Sequence, residues 1–101
     1  MAYEVVFSPE AKADLIALFD YIAEQSGAGI AIGYIDRIER YCGGFVTTPE
    51  RGTRRDDLRP GLRIVGFERR IAIAFHIDRQ TVTIDRILYG GRDIASALGS
   101  D

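Results

Sequence analysis

The sequence predicts a two-layer α+β domain, a helical hairpin packed on one face of an antiparallel sheet, and three observations carry that prediction. A short β-branched and aromatic run opens the chain. Two stretches before residue 46 then repeat apolar residues at helical spacing, and three stretches after residue 61 alternate apolar with polar residues. The expected order is β-α-α-β-β-β with a short C-terminal helix. A chain of 101 residues has room for one core, so residues 1–101 are read as a single domain.

The first strand is Tyr3-Glu4-Val5-Val6-Phe7, ended by Ser8-Pro9. Ser8 suits the N-cap of the next helix, Pro9 its first turn, and Glu10 its positive end. Ala11, Leu15, Leu18, Phe19 and Ile22 form the first apolar stripe, and the helix is expected to stop near Gln25-Ser26-Gly27. A second stripe follows in Ala31, Ile35, Ile38, Cys42 and Phe45, and Gly43-Gly44 and Pro49 mark its decline. Residues 47–61 are polar and turn-rich and read as a loop. Leu62–Phe67, Arg70–Ile77 and Thr81–Leu88 read as strands joined by tight turns at Glu68-Arg69 and Asp78-Arg79-Gln80. In the last strand, alternation puts Val82, Ile84, Arg86 and Leu88 on one face. Gly90-Gly91 breaks that strand, and Asp93–Leu98 supplies the closing helical turns.

Composition is that of an ordinary globular chain, 47% hydrophobic and 28% charged. No run is long and apolar enough to span a membrane, and Met1-Ala2-Tyr3-Glu4 lacks the basic and apolar segments of a signal peptide. A cytoplasmic protein is expected. A single cysteine, Cys42, allows neither an intrachain disulfide nor a cysteine metal site. Residues 1–50 hold three basic side chains against eight acidic ones, a net of −5, whereas residues 51–92 hold ten arginines against five acids, a net of +5. Twelve of the thirteen cations are arginine, the side chain that forks onto carboxylate or phosphate. The basic half points either to a solvated surface or to an acidic or nucleic-acid partner.

Most motifs resolve to structure. The glycines of Ser26–Gly33 have neither the spacing nor the strand-to-helix context of a dinucleotide fingerprint, and read as a helix–helix turn. Cys42 lies on an apolar stripe, as a small buried hydrophobe does. His76, the one histidine, reads as structural or surface, or as an acid–base group if something orients it. No metal site and no cofactor are expected. Arg86, on the expected core face, needs a partner, because a buried unpaired charge costs several kcal/mol. Either a carboxylate such as Asp93 pairs with it, or that face receives an acidic peptide or a phosphate.

Ser8-Pro9-Glu10-Ala11 after a first strand resembles the opening of ParE-type toxins. So does the run from Gly52 through Arg55-Asp56-Asp57-Leu58-Arg59-Pro60-Gly61-Leu62-Arg63, and Arg86-Ile87-Leu88-Tyr89-Gly90-Gly91-Arg92-Asp93 is similar to that family's close. The likeness spans nearly the whole chain and implies the RelE-like fold. It further implies the toxin of a type II toxin–antitoxin system, a growth inhibitor that stabilises plasmids by poisoning DNA gyrase and is not itself an enzyme. A ParD-like antitoxin would neutralise it in a hetero-oligomer, with operator DNA bound only through the antitoxin. Arg54, Arg55, Arg59, Arg63, Arg86, Arg92 and Asp93 are the residues expected to meet antitoxin or target. The related RelE branch cleaves ribosome-bound mRNA, and here Arg63, His76 and Arg92 would be the catalytic set. The tyrosine common after the terminal arginine and the lysines of that branch are absent, which disfavours cleavage. A non-toxic homologue acting only as a binding module is the third reading.

Overall fold

The computed structural model describes residues 2–90, and the expected C-terminal helix lies outside them. The elements are β1 (Glu4–Phe7), α1 (Pro9–Ser26), α2 (Ala28–Gly43) with a 3-10 turn at Gly44–Val46, β2 (Thr53–Arg54), β3 (Leu62–Phe67), β4 (Ile71–Asp78) and β5 (Thr81–Tyr89). The expected order therefore holds, with one two-residue strand added inside the loop. The sheet runs β1-β5-β4-β3-β2, and every pairing is antiparallel except that of β1 with β5.

The helix boundaries follow from their caps. Ser8 is extended, its Oγ accepts from the Ala11 N–H at 3.0 Å, and Pro9 begins the helix where no N–H is needed. The same hydroxyl donates to the Asp85 carbonyl at 2.9 Å, which ties the start of α1 to β5. The turn between the helices is Gly27 alone, at φ 99, a left-handed conformation that side chains resist. Gly29 and Gly33 lie inside α2, so the glycine-rich turn expected over Ser26–Gly33 contracts to one residue.

The core forms where both helices meet one sheet face. Ala11, Leu18 and Ile22 of α1 and Ala31, Ile38 and Cys42 of α2 pack on Ile73 and Phe75 of β4 and on Val82, Ile84 and Ile87 of β5. Phe45 closes one end, stacked on Phe75 with ring centroids 4.4 Å apart. Leu15, Phe19 and Ile35, expected in the apolar stripes, are only half-buried. A second small cluster, Leu62 and Ala74 with Leu58 and Ile64, is separate from this core. It gives the polar 47–61 segment an anchor, because Leu58 tucks under the turn that Arg55 N–H closes onto the Leu62 carbonyl at 2.7 Å.

One irregularity changes the reading of β5. Ala74 pairs with Arg86 but Phe75 pairs with Ile84, so Asp85 is an extra residue, a β-bulge. Strict alternation had placed Val82, Ile84, Arg86 and Leu88 together. The bulge shifts the phase, and beyond it Ile87 joins the core in place of Arg86.

Candidate functional site

Among the described residues, the arginines singled out in the sequence each meet a different partner. Arg54, on exposed β2, pairs with Asp56 at 3.1 Å, and Arg55 holds Asp57 through Nε and Nη2 at 3.0 and 2.9 Å. Both acids titrate below the usual carboxylate range. Asp56 does so chiefly because it accepts the Gly61 N–H and then the Arg54 guanidinium, Asp57 because Arg55 hydrogen-bonds it. These arginines brace the loop. Arg63 donates to the Arg51 carbonyl at 3.3 Å. Arg59 lies 3.9 Å from Asp85. Arg92 and Asp93 fall outside the described residues.

Arg86 has an internal partner, and it is Asp14 of α1. Nε and Nη2 reach the two carboxylate oxygens at 2.8 and 3.0 Å, and Asp14 also accepts the Ile87 N–H at 2.8 Å. Asp14 is 9% exposed and Arg86 20%, and the carboxylate raises the arginine's pKa. The signal for this contact lay in the sequence. Asp14 occupies the same helical face as Ala11, Leu15 and Leu18, an acid inside an apolar stripe.

His76 does have an orienting partner, because its Nδ1 stands 2.7 Å from Asp85 Oδ2. The bulge supplies that carboxylate, and no sequence spacing announces it. The proposed catalytic trio is nevertheless not assembled among the described residues. In the β3–β4 register Leu62 faces His76 and Arg63 faces Phe75, and neighbouring registers project to opposite sides of a sheet. Arg63 therefore shares the helix-side phase and His76 the opposite one.

Acidic partners are missing elsewhere. At the β3–β4 turn Glu68 is taken by Arg37 through two hydrogen bonds of 2.8 and 3.0 Å, which leaves Arg69 and Arg70 without an ion pair among the described residues. Arg79, in the β4–β5 turn, has none either. Arg51 is held by aromatic faces instead, 5.0 Å from the Tyr41 centroid and 5.2 Å from that of Phe45.

The apolar surface is the feature that sequence periodicity missed. Ile16 is 65% exposed, Ile30 and Ile32 59%, and Tyr21 49%. Lys12, Leu15, Ile16, Phe19, Ile35 and Glu39 line an open groove of about 310 Å³ along the hairpin. Among the described residues no group of three or more His, Cys, Asp or Glu could hold a metal ion, and no helix is long and apolar enough to cross a membrane.

An α+β sandwich of this topology, with an apolar hairpin surface left uncovered, has clear relatives. The family model described as ParE toxin of type II toxin-antitoxin system, parDE, matches residues 5–94. Toxin ParE3 of Caulobacter vibrioides is 30% identical over 95 residues, 94% of each chain. A chromosomal ParDE toxin–antitoxin system from P. aeruginosa superposes with a TM-score of 0.77 at 22% identity, covering 88% of this chain and 97% of that one. The RelBE2 toxin–antitoxin complex from Mycobacterium tuberculosis gives 0.62 at 20%, covering 88% and 99%. The protein has the α+β toxin fold seen in the ParDE and RelBE2 structures. Within that class the chain belongs to the ParE family of type II toxin–antitoxin systems.

Proposed function

We propose that this chain arrests growth in the cytoplasm by binding DNA gyrase, without catalysing a reaction of its own, and that a ParD-like antitoxin neutralises it in a hetero-oligomer. Operator DNA is reached only through the antitoxin. The gyrase target rests on membership of the ParE family. The antitoxin rests on one structural observation, the uncovered apolar face of the hairpin. Ile16 and Ile32 are more than half exposed beside a groove of Leu15, Phe19 and Ile35, and contiguous apolar surface of this kind marks a partner site. An amphipathic helix of the antitoxin fits that groove. The separation of Arg63 from His76 across the sheet favours binding over mRNA cleavage.

The test is expression of the chain with and without the protein encoded beside it, together with gyrase supercoiling and cleavage-complex assays. Growth arrest relieved by the neighbour, with gyrase inhibited only by free toxin, is the expected result. Normal growth on expressing the chain alone would favour the non-toxic binding module. New mRNA ends with gyrase untouched would favour the endonuclease.

A further inference from the structure

The helical hairpin turns one face to the sheet and leaves the other uncovered. The groove on that outer face, of about 310 Å³, runs between Leu15, Ile16 and Phe19 of α1 and Ile35 of α2. Ile32 precedes Ile35 by three residues and so stands on the same face of α2, 59% exposed, while Ile16 is 65% exposed on the facing rim. Each rim therefore carries an apolar knob beside an apolar hollow.

Charge on this face has the same balance. Lys12 of α1 and Glu39 of α2 stand at the end of the groove farthest from the Gly27 turn, one on each rim. Neither has an ion pair among the described residues. Because α1 and α2 run antiparallel, a two-fold axis laid along the groove seats α1 of one copy on α2 of the other. That single operation brings Lys12 of each copy to the rim that carries Glu39 of the other, so both idle charges gain an opposite. It also lays Ile16 of each copy against Ile32 and Ile35 of the other, and the four helices form an up-down-up-down bundle. A two-fold contact closes on itself, so it yields a dimer and no fibre. The uncovered face is roughly 17 Å long from Lys12 to Ala23 and, at two helices wide, roughly 20 Å across. Two copies then bury about 1,000 Å² between them, the size of a weak and reversible contact.

We propose that in the free chain this groove is covered by a second copy of the chain, in a two-fold dimer closed by Ile16, Ile32 and the Lys12–Glu39 pairs. The dimer does not depend on what the toxin acts on. That an antitoxin helix takes the same groove rests on the toxin–antitoxin reading above. The two occupants exclude each other, so the antitoxin captures the toxin only as the dimer comes apart.

Sedimentation equilibrium of the purified full-length chain should show a monomer–dimer exchange with its midpoint at about 10–100 µM. Ile16→Lys sets an unpaired charge in the contact and should leave only monomer. Lys12→Glu and Glu39→Lys should each weaken self-association by about 10-fold or more, because both attractive contacts become repulsive. Each reversal suits the helix end it sits near, so circular dichroism should not change. Mixed in equal amounts, the two reversed variants should dimerise with each other, since every contact then joins an acid to a base. A wild type still monomeric at about 500 µM overturns the proposal. So does a dimer that survives Ile16→Lys and both reversals, which would mean that the copies meet elsewhere, and so do reversed variants that stay apart on mixing. If the protein encoded beside this chain binds and dissolves the dimer, the shared groove is upheld. If it binds and leaves the dimer intact, the antitoxin helix lies elsewhere and the dimer stands.

Discussion

Replacing Asp14 with alanine tests whether Arg86 is a structural strut or a partner-facing charge. Asp14 accepts three hydrogen bonds, two from Arg86 and one from the Ile87 N–H, and is almost wholly buried. Removing one member of a fully buried pair costs about 3–5 kcal/mol, because the other charge is stranded. Arg86 keeps a fifth of its side chain in water, so screening reduces that share to about 2 kcal/mol. The lost acceptor for Ile87 adds about 1 kcal/mol. Asp14→Ala should therefore destabilise by about 3 kcal/mol, lowering Tm by about 12–24 °C in a domain of this size. Asp14→Asn retains one acceptor and should cost about half as much. Adding Arg86→Met to Asp14→Ala removes the stranded charge and should recover much of the loss. Urea denaturation of the wild type, Asp14→Ala, Arg86→Met and the double variant gives the coupling directly. A loss under about 0.5 kcal/mol for Asp14→Ala, or additive single losses in the double variant, would refute the strut.

Other expectations follow from single features. Gly52 stands at φ 74, and a Cβ there would meet the Ile64 carbonyl oxygen at 2.3 Å, so Gly52→Ala should lower stability by about 2 kcal/mol or more in thermal melts. At Gly44 a Cβ would stand 2.8 Å from Arg51 Nη2, and Gly44→Ala should displace that arginine from Tyr41 and Phe45, read as a smaller Tm drop. Burial pushes the Cys42 thiol up to about 12, so alkylation at pH 8 should be negligible in the folded chain and rapid in urea. Arg37 holds Glu68 below its ordinary 4.5. A depressed folded-state pKa gives stability that is complete above the unfolded value and is lost as pH falls through the folded one. Melting temperature should thus decline as pH drops below 4.5, and Glu68→Gln should flatten that slope.

Local chemistry was legible in the sequence and long-range chemistry was not. Ser8-Pro9-Glu10 announced the start of α1, and the alternation of Ile71, Ile73, Phe75 and Ile77 announced β4, because caps and pleats are properties of neighbours. The bulge at Asp85 is invisible to alternation, since one extra residue simply reverses the phase of everything after it. The pairing of β1 with β5 joins residues about seventy-seven apart, and nothing near Val5 specifies Val82 as its neighbour. The arginine surplus after residue 50 read as a partner surface, yet Arg54 and Arg55 each find an acid two positions on. Counting charge by half-chain hides such local pairs. Among the described residues, Arg69, Arg70 and Arg79 of the two hairpin turns have no ion pair, and Glu68 beside the first two is engaged by Arg37.

The parallel seam between β1 and β5 bears on when this molecule becomes what it is. The opening strand finds its neighbour only when residues 81–84 exist to receive it. A nascent chain on the ribosome can coil its two helices before residues 81–84 are made, so β1 waits for its seat while the helices do not. Any polypeptide cut short before that point leaves β1 unmoored and the apolar underside of the helices without half of its floor. Translation products that stop short of residue 81 should therefore be fodder for proteases.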